Sequence, residues 1–250
     1  MLNVEYDCRW TNSIDEKYIR DYIKVQDEVF GNGYSIELFR KKYFENIYGP
    51  SIIVIAYINN NPIASRALWR NDICGQTAYQ MGDVCVLEKY RGNGIFSEMT
   101  RMAMTMLDDS VLLYSFPNHN SLTPHIKLNH KIVARYFPRL FSHKSYHREH
   151  EGLLDGDYVK WWLRDSKRVK YMRCNAEYYL VIRHTLPFCY MILAEVSKDV
   201  ALRYEKSILG IFFYRSTKAP FYSRFKRPMV VVSNRTISYI PSWKVDSLGY

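Results

Sequence analysis

A glycine-containing turn between a strand and a helix is the clearest candidate for a binding site in this 250-residue chain. The apolar run at residues 76–86 is typical of a strand, and residues 96–107 repeat apolar side chains at helical spacing. Gly92 and Gly94 lie between them, where the missing Cβ atoms let a ligand approach the backbone. The N–H groups of such a turn and of the helix start point outward together and attract an anion. Because Arg91 adds a positive charge there, the segment predicts a diphosphate site.

Two familiar phosphate motifs do not fit this turn. The chain contains no G-x-x-x-x-G-K-[ST] sequence, which excludes a Walker A loop. The dinucleotide pattern G-x-G-x-x-G also fails, because Ser97 stands at its last glycine position. If the turn binds phosphate, it therefore belongs to a different class of phosphate-binding motif.

The run Arg91-Gly92-Asn93-Gly94-Ile95-Phe96 resembles the R/Q-x-x-G-x-G/A signature of the GNAT acetyltransferases. In that family the turn binds the pyrophosphate of acetyl-CoA, so the resemblance implies acetyl-CoA as co-substrate and no metal. Phe96 replaces the last small residue of the signature. The sequence Gly-Ile-Phe-Ser at residues 94–97 resembles a subgroup often encoded near bacterial polysaccharide genes, and residues 48–53 and 116–121 look like the same subgroup.

The resemblance assigns coenzyme contacts to three segments. The backbone of Val84, Cys85 and Val86 would pair with the pantetheine arm, on a strand that splays from its neighbour. Asn118 and Asn120 follow the next strand, where each either contacts the coenzyme or caps a helix. The implied coenzyme-binding residues are Val84, Cys85, Val86, Arg91, Gly92, Asn93, Gly94, Ile95, Phe96, Ser97, Asn118 and Asn120.

The reaction that the resemblance implies is direct acyl transfer from CoA to a primary amine. A strand N–H, of Val84 or Val86, would stabilise the oxyanion. The amine needs a general base. Asp83 is the first candidate because it precedes the acyl position on the strand, although a strand-end Asp can also serve only to bond neighbouring amides. Glu88 is the second candidate base. The alternative is that its side chain only faces solvent and has no catalytic role.

The proton donor and the acceptor are less clearly defined by the sequence. Many members of the family use a Tyr on the helix after Asn118, but no Tyr occurs between Asn118 and Lys131 in this chain. His119, His125, Tyr136 and water remain as alternatives. The acceptor is expected to be a small-molecule amine, and the subgroup implies a nucleotide-linked amino sugar.

The elements that must position these residues predict an α/β fold with a mixed, mostly antiparallel sheet. The first part reads β-α-α-β-β-β-α-β-α-β, an order that places helices on both faces of a sheet. We expect a GNAT domain at residues 1–140, a connector at 141–152 and a smaller α+β domain at 153–250. Residues 157–161 look like the opening of a GNAT-related half-domain. Ser13 with Glu16 predicts a capping box at the first helix.

Composition limits the partners and the compartment. The net charge of +10 favours anionic partners, but no nucleic-acid-binding module is recognisable, so we expect no nucleic acid. The five cysteines form no C-x-x-C pair and there is no signal-peptide pattern, which favours a cytoplasmic protein. The most apolar stretch, residues 178–196, is too interrupted for a membrane span. A homodimer is compatible with the sequence.

Three other functions stay open on the sequence. A catalytically inactive CoA- or nucleotide-binding module would retain the turn and lack the chemistry, and Phe96 and the missing Tyr favour it. A nucleic-acid-binding protein has only the net charge in its favour. A relative of the same fold that transfers aminoacyl groups from tRNA would also be basic, but an intact pyrophosphate turn argues against it.

Overall fold

The structure is a computed structural model, and the chain divides into two compact units. One contains Met1–Val133 and Val231–Ser238, and the other contains Ala134–Val230 and Tyr239–Tyr250. The residues that the structure describes are 2–31, 33–73, 75–142, 144, 146, 156–163, 169–173, 178–199, 208–218, 228–237, 240–242 and 244.

The first unit is a sheet with helices on both faces. Its strands are β1 (Glu5–Trp10), β2 (Ile52–Ile58), β3 (Asn61–Arg70), β4 (Ala78–Val86), β5 (Leu112–Ser115) and, from the C-terminal part of the chain, β11 (Met229–Ser233). Its helices are α1 (Glu16–Phe30), α2 (Ile36–Tyr43), α3 (Ile95–Thr105) and α4 (His119–Lys127), with short 3-10 turns at Thr11–Ser13 and Glu88–Tyr90. The strands lie in the order β1-β2-β3-β4-β5-β11. Neighbours are antiparallel except β4 and β5, which are parallel.

Alternation along β3 explains why helices cover both faces of this sheet. The Ser65 hydroxyl accepts a hydrogen bond from Gln26 of α1, and the Trp69 indole donates one to the backbone of Lys42 in α2. Arg66, on the opposite face, lies against Phe96 of α3. Since side chains alternate between the faces of a strand, α1 and α2 cover one face and α3 covers the other. The strands β2 and β3, buried over most of their length, supply much of the apolar core.

The second unit is built around its own sheet. Strand β6 (Lys131–Leu140) is followed by β7 (Val169–Arg173), β8 (Tyr178–Leu186), β9 (Cys189–Ser197) and β10 (Ile211–Ser216). These strands pair in the order β6-β10-β9-β8-β7, and β9 and β10 are parallel. A helical turn at Gly156–Tyr158 continues as a π-helical segment at Val159–Leu163. The core of this sheet is aromatic and aliphatic, with Tyr146, Leu180, Ile182, Tyr190, Ile192 and Tyr214 in one cluster.

The expected fold class is confirmed: the sheet is mixed, mostly antiparallel and flanked by helices. The division into segments 1–140, 141–152 and 153–250 stays a prediction, and much of the proposed connector lies outside the described residues. The first compact unit consists of two separate stretches of the chain, because it also contains Val231–Ser238, whereas the predicted segments are consecutive.

One local prediction about the elements was wrong, and one strand was missed. The capping box of Ser13 and Glu16 does not form, because Ser13 lies in a 3-10 turn and donates to Trp10 O. Asp15 caps α1 instead, since its carboxylate accepts from Tyr18 N at 2.8 Å. The strand β7 was not anticipated, because its five residues lie beside a basic run with weak alternation.

Candidate active site at the glycine turn

The glycine turn has the backbone conformation that glycine allows. Gly92 and Gly94 have φ values of 81° and 77°, in the left-handed region. A Cβ atom built on either residue would meet no atom within 4 Å. The space outside the turn is therefore open, and the conformation rather than packing requires glycine at these two positions.

The turn presents a row of backbone donors. Within the described part of the chain, the N–H groups of residues 92–97 have no protein acceptor. Gly94 forms the N-cap of α3 without a side-chain cap, so the first turn of the helix keeps its N–H groups available. Asn93 folds back, and its amide donates to the carbonyls of Tyr90 and Arg91. Such a cluster at a helix N-terminus fits a diphosphate.

The charged and polar side chains of the turn lie at its exposed rim. Arg91 is exposed and its Nε donates to Val86 O at 3.0 Å, which holds the guanidinium beside the end of β4. Ile95 is buried in the core, whereas Phe96 and Ser97 are half-buried at the start of α3. The backbone of these residues, rather than their side chains, forms the concave surface.

Strands β4 and β5 separate beside the turn. Their parallel register covers Ala78↔Leu112, Tyr79↔Leu113 and Gln80↔Tyr114. The Ser115 hydroxyl then donates to Met81 O, and β5 ends at that residue. Val84 and Val86 lie beyond this pairing and are half-buried. The edge of β4 at residues 84–86 is therefore not paired with β5, and an extended ligand can pair with it at the groups other than Val86 O, which accepts from Arg91.

The separated part of β4 begins with a bulge at Asp83. Ser65 pairs with Cys85 and Ala67 with Gly82, so Asp83 and Val84 together oppose Arg66. Asp83 has a φ of 44°, in the left-handed region. A bulge of this kind bends the strand and redirects its side chains.

The Asp83 carboxylate is held by a buried polar network on the α1–α2 face. Its Oδ2 accepts from Lys42 Nζ at 2.5 Å, from Tyr43 OH at 2.6 Å and from Tyr22 OH at 3.4 Å. The Lys42 side chain is fully buried and the Asp83 side chain is 11% exposed. Burial lowers the pKa of Lys42, while the neighbouring Asp83 opposes that shift. The network fixes the carboxylate in place, and only a small part of the Asp83 side chain is exposed to solvent.

The other sequence candidates lie in less constrained places. Glu88 is exposed on the 3-10 turn after β4. Asn118 caps α4, and its side-chain oxygen accepts from the N–H groups of Asn120 and Ser121 at 3.0 Å each. Asn120 is exposed. Cys85 is buried beside Ser65, and burial raises the pKa of its thiol to about 12, which keeps it protonated.

The three side chains considered as proton donors differ in the structure. His119 is exposed at the start of α4. The Tyr136 hydroxyl is buried and donates to Ile240 O at 2.6 Å. Burial, together with Arg66 and His130, lowers the pKa of His125 to about 3. His125 is therefore neutral at pH 7, and an imidazolium is not available there as a proton donor.

His125 and His130 form a buried neutral pair. Their Nδ1 atoms lie 3.0 Å apart, so one ring donates and the other accepts. Burial, with a contribution from Arg66, lowers the pKa of His130 to about 4. Two protonated rings cannot make this hydrogen bond, since both would then be donors.

The free energy of unfolding should therefore fall as the pH is lowered from about 6.5 towards 4. The unfolded chain binds protons at the ordinary histidine pKa, and the folded chain does not until about pH 4 and 3. His130→Gln should reduce the slope of stability against pH between pH 5 and 6 by about 1.4 kcal/mol per pH unit. Urea unfolding at several pH values measures it. His119→Gln, at an exposed histidine on α4, is the matched control, and an equal slope in all three proteins would contradict the prediction.

Sequence reasoning missed several residues of this site. Lys42 and Tyr43 lie on α2 and were not connected with Asp83, because helix packing brings them together across about forty positions. Arg66 was not considered, although a signal exists. It is a charged residue in the interior of the apolar strand β3, whose other arginine, Arg70, stands at the end of the strand.

Among the described residues, no helix is both long and apolar enough to cross a membrane. That part of the chain also brings no group of three or more His, Cys, Asp or Glu side chains together to hold a metal ion. No protein-family model and no curated protein matches the chain.

Comparison with solved structures shows the fold. A GCN5-related N-acetyltransferase from Kribbella flavida is similar at 12% identity and a TM-score of 0.53, over 93% of this chain and 72% of that one. A conserved protein of unknown function from Enterococcus faecalis V583, described as a candidate N-acyltransferase, is similar at 13% identity and a TM-score of 0.55. That match covers 98% of this chain and 74% of the other. The chain has the GNAT acyl-CoA N-acyltransferase fold.

Proposed function

We propose that this protein is an acyl-CoA-dependent N-acyltransferase that moves an acetyl or other short acyl group from CoA to a primary amine. The observation that carries the proposal is the row of unpaired N–H groups at residues 92–97, beside the separated edge of β4. These donors suit the diphosphate of CoA, and the free strand edge suits its pantetheine arm. The fold supports the same assignment.

In the proposed reaction, the amine nitrogen forms a bond to the thioester carbonyl carbon and the carbon–sulfur bond breaks. A backbone N–H of Val84 or Val86 stabilises the oxyanion. Asp83 takes the ammonium proton, directly or through water, because its fixed carboxylate opens narrowly to solvent at the bulge. The second amine proton, lost as the amide forms, passes through water to the departing thiolate. Glu88 is the second candidate base. It is exposed on the 3-10 turn, so its carboxylate is held less firmly than that of Asp83.

The acceptor that we propose is a small-molecule amine, and a nucleotide-linked amino sugar comes first in the panel to be tested. The support is the resemblance of residues 94–97 and 116–121 to the polysaccharide-associated subgroup, together with the net charge of +10, which suits an anionic substrate. The coenzyme contacts proposed for Asn118 and Asn120 rest on the same resemblance. Asn118 caps α4 in the structure, so Asn120 is the better placed of the two to reach a ligand.

Coenzyme binding is expected to raise the thermal stability of the protein. Acetyl-CoA or CoA at about a hundred times its dissociation constant should stabilise the fold by about 2.7 kcal/mol. NAD, which also carries a diphosphate but no pantetheine, is the control and should give no comparable shift. A thermal-shift assay measures all three. An equal response to NAD, or no response to either CoA compound, would overturn the proposed coenzyme site.

The alternative function, a catalytically inactive module that binds CoA, makes the same thermal-shift prediction. A thiol-release assay with acetyl-CoA and a panel of amines separates the two. Release above the rate of spontaneous hydrolysis, dependent on one class of amine, supports the enzyme. Coenzyme binding without release for any amine class supports the module.

A further inference from the structure

A buried cation lies on the α3 face of β3. Arg66 is fully buried, and among the residues that the structure describes none of its three guanidinium nitrogens has a hydrogen-bond partner or a counter-ion. Its guanidinium carbon lies 4.6 Å from the ring centroid of Phe96, so an aromatic face covers it. Cation–π stacking compensates only part of the cost of removing a charge from water. A fully buried guanidinium normally requires an anion.

Within the described ranges, the surroundings of Arg66 supply further hydrogen-bond donors and no carboxylate that affects its charge. Arg66 lowers the pKa of both His125 and His130, after burial, which places it near the two rings. The Nε2 atom of His130 is also buried without a partner. In the tautomer in which His130 accepts at Nδ1, this atom carries a hydrogen and becomes a further donor. The cluster can therefore offer hydrogen bonds to an oxyanion from Arg66 and His130 together.

Asp83 does not provide the missing anion, although it lies opposite Arg66 in the register. The Asp83 carboxylate bonds Lys42, Tyr43 and Tyr22 on the α1–α2 face, whereas Arg66 faces Phe96 on the α3 face. The two charges are separated by the sheet. An anion for Arg66 must come from the α3 side, which is the side of the glycine turn.

Phe96 connects this cluster to the coenzyme turn. It is the second residue of α3, it belongs to the run of unpaired N–H groups, and it is half-buried. Its ring packs edge-on against His125 at 5.6 Å between centroids. Phe96 is therefore the side chain that lies both on Arg66 and in the turn where the coenzyme is proposed to bind, and a ligand that reaches Arg66 from the turn must displace its ring.

We propose that Arg66 and His130 bind a carboxylate at the end of the acyl chain of the donor, so that the donor is a dicarboxylic acyl thioester such as succinyl-CoA. The inference rests on the proposed function. The acyl chain starts at the bulge of Asp83 and Val84, the two residues that Arg66 opposes on the neighbouring strand. A bidentate guanidinium–carboxylate pair then neutralises the buried cation when the donor is bound.

The test compares three donors on the full chain. Calorimetric titration with acetyl-CoA, butyryl-CoA and succinyl-CoA measures each affinity, and butyryl-CoA matches succinyl-CoA in chain length without the charge. Succinyl-CoA should bind about tenfold more tightly than butyryl-CoA, as expected for one well-formed charge-assisted pair. If no CoA thioester binds, the proposed function fails. If acetyl-CoA binds and succinyl-CoA is no better than butyryl-CoA, only the carboxylate site fails.

Variants assign the effect to Arg66. Arg66→Met should leave acetyl-CoA affinity within about twofold and remove the preference for succinyl-CoA, because the remaining contacts with the coenzyme are untouched. Its melting temperature without ligand should equal or exceed that of the wild type, since an apolar chain replaces an unpaired buried charge. Arg66→Gln is the second variant should Arg66→Met not fold. A preference that survives in the folded variant overturns the assignment.

Free succinate added with acetyl-CoA distinguishes an acyl-chain carboxylate from a separate anion. We expect no additional stabilisation from free succinate, because the carboxylate must arrive on the thioester to be held at this position. Stabilisation by succinate that depends on Arg66 would assign the cluster to a separate anion and overturn the donor assignment.

Discussion

Gly94→Glu is expected to abolish the stabilisation of this protein by acetyl-CoA and to weaken binding at least 100-fold. A side chain at this position would project into the open space outside the turn, where the diphosphate is proposed to lie. Its carboxylate would repel the phosphates, and the row of unpaired N–H groups would be partly covered. The full shift of about 2.7 kcal/mol at a hundredfold excess over the dissociation constant should therefore disappear. Calorimetric titration with acetyl-CoA and the thermal-shift assay measure the two effects.

Gly75→Glu is the matched control for this variant. Gly75 has the same φ of 77°, and a Cβ atom there also meets nothing within 4 Å. Both substitutions place a charged residue in a left-handed conformation, which costs about 1–2 kcal/mol. Their melting temperatures without ligand should fall by similar amounts, but Gly75→Glu should keep the response to acetyl-CoA. If Gly94→Glu binds as tightly as this control, the turn is not part of the coenzyme site.

Asp83→Asn is expected to destabilise the fold by about 3–5 kcal/mol, because it leaves the buried Lys42 ammonium without its counter-ion. For a chain of this length, such a change lowers the melting temperature by roughly 10 °C. Asn is the replacement that disturbs the backbone least, since it tolerates the positive φ of 44° at this position. Thermal unfolding and urea unfolding measure the loss.

The double variant Asp83→Asn with Lys42→Met separates stability from catalysis. The double variant should recover most of the lost stability, because an apolar chain of similar length then packs against Trp69 in place of the ammonium. Its amine-dependent thiol release should stay about 10²- to 10⁴-fold below that of the wild type if Asp83 is the general base. Recovery of activity together with stability would leave Asp83 a purely structural role and move the base assignment to Glu88.

The conformation of the glycine turn could be predicted from sequence because all of its parts are consecutive. A strand, a pair of glycines and an amphipathic helix follow one another within thirty residues, and local conformation alone orients the N–H groups. The separation of β4 from β5 agrees with the strand that the resemblance implied. The role of Asn118 as a helix cap could be anticipated for the same reason, since its cap hydrogen bonds involve only the next few residues.

The surroundings of Asp83 and Arg66 could not be predicted in the same way. The bulge that gives Asp83 its positive φ depends on the register of β3 against β4, which no periodicity in either strand specifies. Lys42 and Tyr22 reach Asp83 from two helices, and their distance from it is fixed only when those helices pack on the sheet. Arg66 is a charged residue in an apolar strand, so its position breaks the pattern on which sequence reasoning relies.

The late strand β11 has a consequence for how the chain is synthesised. Val232 and Ser233 pair with β5, and the Asn234 side chain accepts from Leu113 N and donates to Val111 O. The first unit therefore lacks an edge strand until residue 234 has left the ribosome. At about 5–20 residues per second, the roughly 120 residues in between delay that step by about 6–24 seconds. During this interval the N–H and C=O groups of β5 that later pair with β11 are open to pairing with another chain.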